Sequence, residues 1–130
     1  KYNLFNREPE EEGILRQAKE NGTGFIAFSP LAQGLLTNRY LNGIPEDSRM
    51  ARGGFLKKEQ LTEDVLSKIK ALNKMAEERG QTLAEMALAW VLKDDLVTSV
   101  IIGASSVAQL EDNLKAIRNT SFTKEELRRL

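Results

Sequence analysis

Two segments that follow short apolar runs carry the residues best suited to chemistry. Gly103, Ala104, Ser105 and Ser106 end one of these runs and open a helical pattern. A strand that passes straight into a helix presents free N–H groups and the positive end of the helix dipole at the junction. The junction therefore predicts a site for an anion.

The other segment begins with an aromatic residue and contains a proline. An aromatic ring at the exit of a strand could stack on a planar ligand, although the residue pattern alone favours an ordinary core phenylalanine. The proline fixes the turn, because its ring locks the φ angle. The residues of this segment are Phe28, Ser29, Pro30, Leu31, Ala32 and Gln33. By themselves they predict only a strand followed by a turn.

Two arginines and one helix face offer further polar groups. Arg39 and Arg49 each carry a planar fork of donors that suits phosphate oxygens, although composition alone favours two solvated surface cations. Gln109, Asp112 and Asn113 fall on one face of a helix, because they are spaced three and four residues apart. Without other evidence that face is predicted to be solvated, with Gln109 completing a capping box.

Composition excludes several classes of function. The chain has no cysteine and no histidine, which excludes disulfides, thiolate metal sites and a histidine of this chain as the general acid. Lys plus Arg and Asp plus Glu both number 19, so we expect no nucleic-acid partner. No apolar run approaches the roughly 18 residues that span a bilayer, so we expect a cytoplasmic protein without a membrane partner.

Apolar periodicity and capping residues predict an α/β fold. Residues 30–61 show no strong periodicity, and a loop of this length in a compact domain is usually functional or disordered. Strands that are separated by helices pair in parallel. The predicted elements are a helix over 9–21, a strand over 24–29, helices that begin at Thr62 and Thr82, a strand over 97–103, and helices that begin at Ser106 and Thr123.

Three expectations concern packing. Both strands are mostly apolar, which predicts burial on both faces of the sheet. Leu110, Leu114 and Ile117 are predicted to form the inner face of their helix. Since two strands cannot make a stable sheet alone, we expect the chain to belong to a larger domain. The exposed edges of the isolated piece would favour self-association, for example as a homo-oligomer.

Three stretches of the sequence, in order, resemble the aldo-keto reductases. They are residues 28–37 (FSPLAQGLLT), residues 40–49 (YLNGIPEDSR) and residues 102–105 (IGAS), followed by Gln109, Leu110 and Asn113. The resemblance is strongest to the branch that holds bacterial reductases of glyceraldehyde 3-phosphate or methylglyoxal. That branch also contains the β subunits of voltage-gated potassium channels.

The resemblance implies a fold and a missing catalytic half. Residues 1–130 would be a single truncated domain, the C-terminal part of a (β/α)8 TIM barrel from the end of strand six through strand eight and the C-terminal helices. In the family a tyrosine, tuned by a lysine and helped by a histidine and an aspartate, donates the proton when a hydride reaches the carbonyl carbon. These residues would lie upstream of Lys1, so we expect no catalytic residue and no carbonyl reduction in this chain alone.

The resemblance also implies NADPH as the cofactor. Phe28 would stack on the nicotinamide ring, and residues 29–33 would follow the pyrophosphate with their backbone N–H groups and the Ser29 hydroxyl. Arg39 and Arg49 would contact phosphates, although Arg39 stands where the family has a lysine.

The adenosine end of the cofactor would lie after the second strand. Gly103 and Ser105 would hold the 2′-phosphate, and the face of Gln109, Asp112 and Asn113 would hold the adenine amino group and the ribose. Many relatives have a basic residue at the position of Ser106, which weakens the prediction of strict NADPH preference. Relatives often have glutamate at the position of Asp112.

Two rival hypotheses have different consequences. The chain could belong to a non-catalytic, cofactor-binding regulatory subunit like those of potassium channels, which only the upstream residues would decide. Residues 62–93 could instead form a helix-turn-helix DNA-binding unit, but zero net charge and an apolar second helix argue against it. For the reductase we expect a small carbonyl compound as the substrate.

Overall fold

The structure is a computed structural model that describes residues 1–53 and 56–130; for Arg49 it describes the backbone only. The described elements alternate short strands with helices around one apolar core. They are α1 (Glu8–Glu11), α2 (Ile14–Glu20), β1 (Ile26–Ala27), α3 (Arg49–Arg52), α4 (Glu63–Glu78), α5 (Leu83–Val91), β2 (Ser99–Val100), α6 (Val107–Leu114) and α7 (Lys124–Arg129), with 3-10 turns at Ala32–Gly34, Asn38–Tyr40, Lys58–Gln60 and Lys115–Arg118.

The two strands pair in parallel, as the sequence predicts. Ile26 lies opposite Ser99 and Ala27 lies opposite Val100. The N-terminal segment adds to the far side of β1, since the Tyr2 amide donates to the Phe28 carbonyl (3.3 Å). Both strands are shorter than predicted. After Phe28 the chain leaves the extended conformation, because Ser29 has a φ of 57°.

Only one face of this small sheet is covered. Ala27 is 1% exposed beneath the helices, whereas Ile26 and Ile101 are 61% and 60% exposed. The expectation that both strands are buried on both faces is therefore wrong for the described chain. The apolar residues alternate between the two faces, and no described element packs on the second one.

Hydroxyl caps start four of the helices where the sequence places them. The side chains of Thr62, Thr82, Ser106 and Thr123 each accept a hydrogen bond from the backbone N–H three residues later. Such a cap contributes about 1 kcal/mol. The single helix predicted over 9–21 is wrong, because Gly13 adopts a φ of 76° and divides it into α1 and α2.

Helix α5 lies at the centre of the core. All nine of its residues are buried. Its Trp90 packs against the Tyr2 ring with 5.1 Å between ring centroids. A helix that reads a DNA groove exposes side chains to it, and α5 exposes none of its residues in this structure.

Helix α6 faces the core with a different side from the one predicted. Leu110, Leu114 and Ile117 are 41%, 55% and 71% exposed, so the expectation that they form the inner face is wrong. Asn113 and Ala116 are buried instead, because α6 and the turn after it pack against α5 through that side.

Within the described residues, no helix is both long enough and apolar enough to cross a membrane.

Arg79 ties the C-terminal segment to the end of α4. Its side chain is only 5% exposed and forms an ion pair with Glu126. The same guanidinium donates to the carbonyls of Ser121 (2.9 Å) and Asn119 (3.4 Å) and lies 3.8 Å from the centre of the Phe122 ring. One buried cation therefore holds residues 119–126 in place.

We expect Arg79→Met to lower the free energy of unfolding by about 3 kcal/mol, because it leaves the partly buried carboxylate of Glu126 without its cation. Urea denaturation measures the change. Arg129→Met is the matched control, since it removes only an exposed ion pair with Glu78 and should change little. Equal stabilities of the two variants would contradict the role given to Arg79.

Candidate functional site

Parallel pairing brings the two polar segments to one edge of the sheet. The Ile101 amide donates to the Ala27 carbonyl (2.8 Å), so both strands end at the same level. The chain leaves β1 through Phe28 and leaves β2 through Gly103. The segments that the sequence predicts to bind an anion therefore start side by side, at the carboxyl ends of the strands.

The segment after β1 has a strained backbone. Ser29, Ala32 and Gln33 have φ angles of 57°, 48° and 59°, and they are the non-glycine residues with positive φ in the described part of the chain. Each such conformation costs roughly 1–2 kcal/mol in an L-residue. Strain of this kind concentrates at functional sites, where surrounding contacts enforce it.

This backbone leaves hydrogen-bond donors available. Among the described residues the N–H groups of Leu31 and Gln33 have no acceptor, and neither has the hydroxyl of the half-buried Ser29. The Ala32 N–H between them donates to the Ser29 carbonyl (3.2 Å), so the two available N–H groups are separated by one bonded residue. Backbone N–H groups in a turn of this kind can line a concavity that suits an anion. Phe28 directly precedes this turn and is 52% exposed, so it is not a core phenylalanine in this structure.

A buried asparagine holds the turn from the N-terminal side. Asn3 is fully buried, and its amide nitrogen Nδ2 donates to the Ser29 carbonyl (2.8 Å). Its oxygen Oδ1 accepts from the N–H groups of Phe5 and Asn6, both at 2.9 Å. Sequence reasoning missed this residue. The available signal was that asparagine often bonds the backbone two residues later.

Arg39 is connected to the same turn. The Thr37 hydroxyl donates to the Gly34 carbonyl (2.6 Å) and accepts from the Arg39 N–H (3.2 Å). The Arg39 guanidinium lies 3.4 Å from a carboxylate oxygen of Asp47. Arg49 opens α3 behind the cap residue Ser48, but its side chain lies outside the described part of the chain.

The segment after β2 is open to solvent. Gly103 and Ser105 are exposed, and no atom would lie within 4 Å of a side chain added at Gly103. Half of the predicted capping box is present, since the Gln109 N–H donates to the Ser106 hydroxyl (3.2 Å), but the Gln109 side chain does not accept from the Ser106 N–H. Its oxygen instead accepts from the N–H (2.8 Å) and the hydroxyl (2.9 Å) of Ser105. Ser105 and Gln109 therefore form one polar unit at the start of α6.

The other two residues of the predicted face lie nearer the core. Asp112 is half-buried and accepts a hydrogen bond from the Thr82 hydroxyl (2.9 Å). Asn113 is only 6% exposed, on the side of α6 that meets α5. Of the predicted adenine-binding residues, Gln109 is the exposed one in this structure.

The chain contains one tyrosine–lysine pair, and its tyrosine is fully buried. The Lys93 ammonium lies 3.2 Å from the Tyr2 hydroxyl, which donates to Glu10 (2.9 Å). Burial, and after it the hydrogen bond to Glu10, raise the pKa of Tyr2 well above its usual range. Tyr2 therefore keeps its proton and has a structural role. The described residues also contain no group of three acidic residues arranged for a metal ion.

Comparison with known proteins decides the family. The model of the Aldo/keto reductase family matches residues 1–130. The chain belongs to this family. It is 55% identical to L-glyceraldehyde 3-phosphate reductase of Escherichia coli (strain K12), over 97% of this chain and 38% of that protein. It is 41% identical to a probable voltage-gated potassium channel subunit beta of Arabidopsis thaliana, over 89% of this chain and 36% of that protein.

Solved structures of aldo-keto reductases agree on the fold. A thermostable aldo-keto reductase in complex with the inhibitor epalrestat superposes with a TM-score of 0.68 at 27% identity, covering 98% of this chain and 36% of that one. The holo form of an aldo-keto reductase from Bacillus halodurans gives a TM-score of 0.67 at 30% identity, covering 99% of this chain and 39% of that one. The chain therefore has the fold of part of a (β/α)8 barrel. It spans less than two fifths of the length of these relatives.

We expect Asn3→Ala to lower the free energy of unfolding by roughly 2–3 kcal/mol, because it removes the three hydrogen bonds that this buried side chain makes around the strained turn. Thermal and urea denaturation measure the loss. Asn42→Ala, at an exposed position, is the matched control. If both variants kept the stability of the parent, Asn3 would not hold the turn.

Glu85 gives the fold a dependence on pH. Burial, and after it the hydrogen bond to Asp112, raise the pKa of the Glu85 carboxyl above its ordinary value of 4.5. A hydrogen bond with the Thr82 backbone, and after it the Lys115 ammonium, oppose the rise in this pKa. The folded chain therefore binds this proton more tightly than the unfolded chain. The stabilisation is fully present below pH 4.5 and is lost as pH rises through the raised pKa.

We expect Glu85→Gln to reduce this loss of stability between acidic and neutral pH, because the amide stays neutral. Melting temperatures measured across that range test it. Glu111→Gln, on the exposed side of α6, should leave the profile of the parent unchanged. An unchanged profile for Glu85→Gln would show that Glu85 does not hold the proton.

Proposed function

We propose that the complete protein is an oxidoreductase that uses NADPH to reduce a small aldehyde or ketone to an alcohol. The observation that carries the proposal is the strained turn after β1, with its available donors beside the exposed ring of Phe28. When bound, NADPH supplies the hydride that such a reaction requires. This chain contributes binding and orientation of the cofactor.

The residues after β1 fit the nicotinamide and pyrophosphate. The ring of Phe28 is accessible for stacking, and the N–H groups of Leu31 and Gln33 with the Ser29 hydroxyl offer donors to phosphate oxygens. Pro30 is buried and Ala32 is 8% exposed, so they contribute shape to the turn and not side-chain contacts. We propose Arg39 and Arg49 as the cations that neutralise the phosphates.

The residues after β2 fit the adenosine end. The residues at the start of α6 are exposed, and the positive end of the helix dipole there suits the 2′-phosphate. Ser105 and Gln109 already bond each other there. We propose that Asp112 and Asn113 act mainly by setting the position of α6, since both face α5 more than solvent.

The reaction itself is assigned to residues outside this chain. Tyr2 and Tyr40 are both buried, so neither side chain is open to a substrate in this structure. The 55% identity with L-glyceraldehyde 3-phosphate reductase favours the enzyme over a regulatory subunit and makes that phosphorylated aldehyde the first substrate to test.

We expect the complete protein to bind NADPH more tightly than NADH in calorimetric titrations. Ser29→Ala should weaken NADPH binding roughly tenfold, because a hydrogen bond to a charged phosphate is lost. Ser67→Ala, an exposed hydroxyl on α4, is the matched control.

Substrate turnover provides the second test. The complete protein should consume NADPH when L-glyceraldehyde 3-phosphate or methylglyoxal is added, whereas residues 1–130 alone should not. Binding of neither nucleotide by the complete protein would overturn the cofactor assignment. Binding without turnover of any small carbonyl would instead favour the regulatory-subunit hypothesis.

A further inference from the structure

Arg39 and Asp47 close an exposed loop with an ion pair. The guanidinium nitrogen Nη2 of Arg39 lies 3.4 Å from the carboxylate oxygen Oδ2 of Asp47. Asn42, Gly43 and Ile44, which lie between them, are exposed. The pair thus connects the start and the end of a surface loop that borders the strained turn.

Both ends of this loop are fixed independently of the ion pair. On the Arg39 side, Tyr40 is 1% exposed and the Thr37 hydroxyl caps the short turn that carries Arg39. On the Asp47 side, the fully buried Ser48 donates to the Pro45 carbonyl (2.7 Å) and accepts from the Ala51 N–H (3.2 Å). The backbone therefore holds Asp47 beside Arg39 without help from their mutual attraction.

The two partners differ in their exposure to water. The side chain of Asp47 is 71% exposed and that of Arg39 is 34% exposed. A pair this exposed is weak, because water solvates the carboxylate almost as well as the guanidinium does. A phosphate group offers Arg39 more negative charge and a geometry that matches its planar fork. The Arg39 guanidinium can therefore exchange the carboxylate for a phosphate at little cost.

We infer that Asp47 competes with ligand phosphate for Arg39 and so limits how tightly the site retains a phosphorylated nucleotide. The inference rests on the proposed function, since it takes Arg39 as a phosphate contact. In this scheme Asp47 is a tuning residue that touches Arg39 and not the cofactor. We expect the competition from Asp47 to make nucleotide dissociate faster than it would from a site without this carboxylate.

The test is a titration of the complete protein with NADPH. Asp47→Asn should lower the Kd roughly two- to fivefold, in line with the strength of an exposed ion pair, and mainly by slowing dissociation. Asp95→Asn is the matched control, because Asp95 is a similarly exposed aspartate (77%) in an ion pair with Lys19. It should leave the Kd unchanged.

A double variant separates competition from simple charge removal. In an Arg39→Gln background, Asp47→Asn should have little effect on the Kd, because the contested cation is gone. An undiminished effect there would overturn the inference, and so would equal Kd values for Asp47→Asn and Asp95→Asn. If the parent protein binds no NADPH at all, the proposed function fails instead, which is a distinct outcome.

Discussion

The parallel ladder between β1 and β2 is short, but the position of every candidate binding residue depends on it. It aligns Ala27 with Val100, so the chain leaves both strands at one level and on one edge. The strained turn follows one strand, and the start of α6 follows the other. A shift of one residue in this register would reverse the side-chain directions and separate the two segments.

The turn after β1 shows how the fold maintains an unfavourable conformation. Three non-glycine residues adopt left-handed angles within five positions, and no local preference of serine, alanine or glutamine favours this. The enforcing contacts come from elsewhere, namely the buried amide of Asn3 and the Thr37 hydroxyl. The strain leaves backbone donors unpaired among the described residues, and this is the property that a phosphate site needs.

Much of the architecture follows from local signals in the sequence. The hydroxyl caps at Thr62 and Thr82 and the left-handed Gly80 are specified by nearby residues, so these boundaries could be predicted. The division at Gly13 was missed because the flanking residues are all compatible with one continuous helix.

The covered face of a strand or helix is harder to predict than its existence. Leu110 and Ile117 have apolar spacing, yet α6 turns Asn113 toward α5. The two motifs name the candidate binding residues, which remain a prediction, but they do not reveal the residues that support them. Asn3 acts across 26 positions of sequence, and Asp47 acts through an ion pair that only the folded loop creates. Such long-range contacts have no periodicity for a sequence pattern to reveal.

The cluster around α5 also gives the protein an optical property. Trp90 is the only tryptophan of the chain, and it is 1% exposed. The Lys93 ammonium lies 4.1 Å from its ring centre, and the Arg7 guanidinium lies 4.8 Å away. The tryptophan fluorescence of this chain therefore originates from one buried side chain that lies between two positive charges. The emission spectrum reports directly on the packing of α5 against the N-terminal segment, without any attached dye.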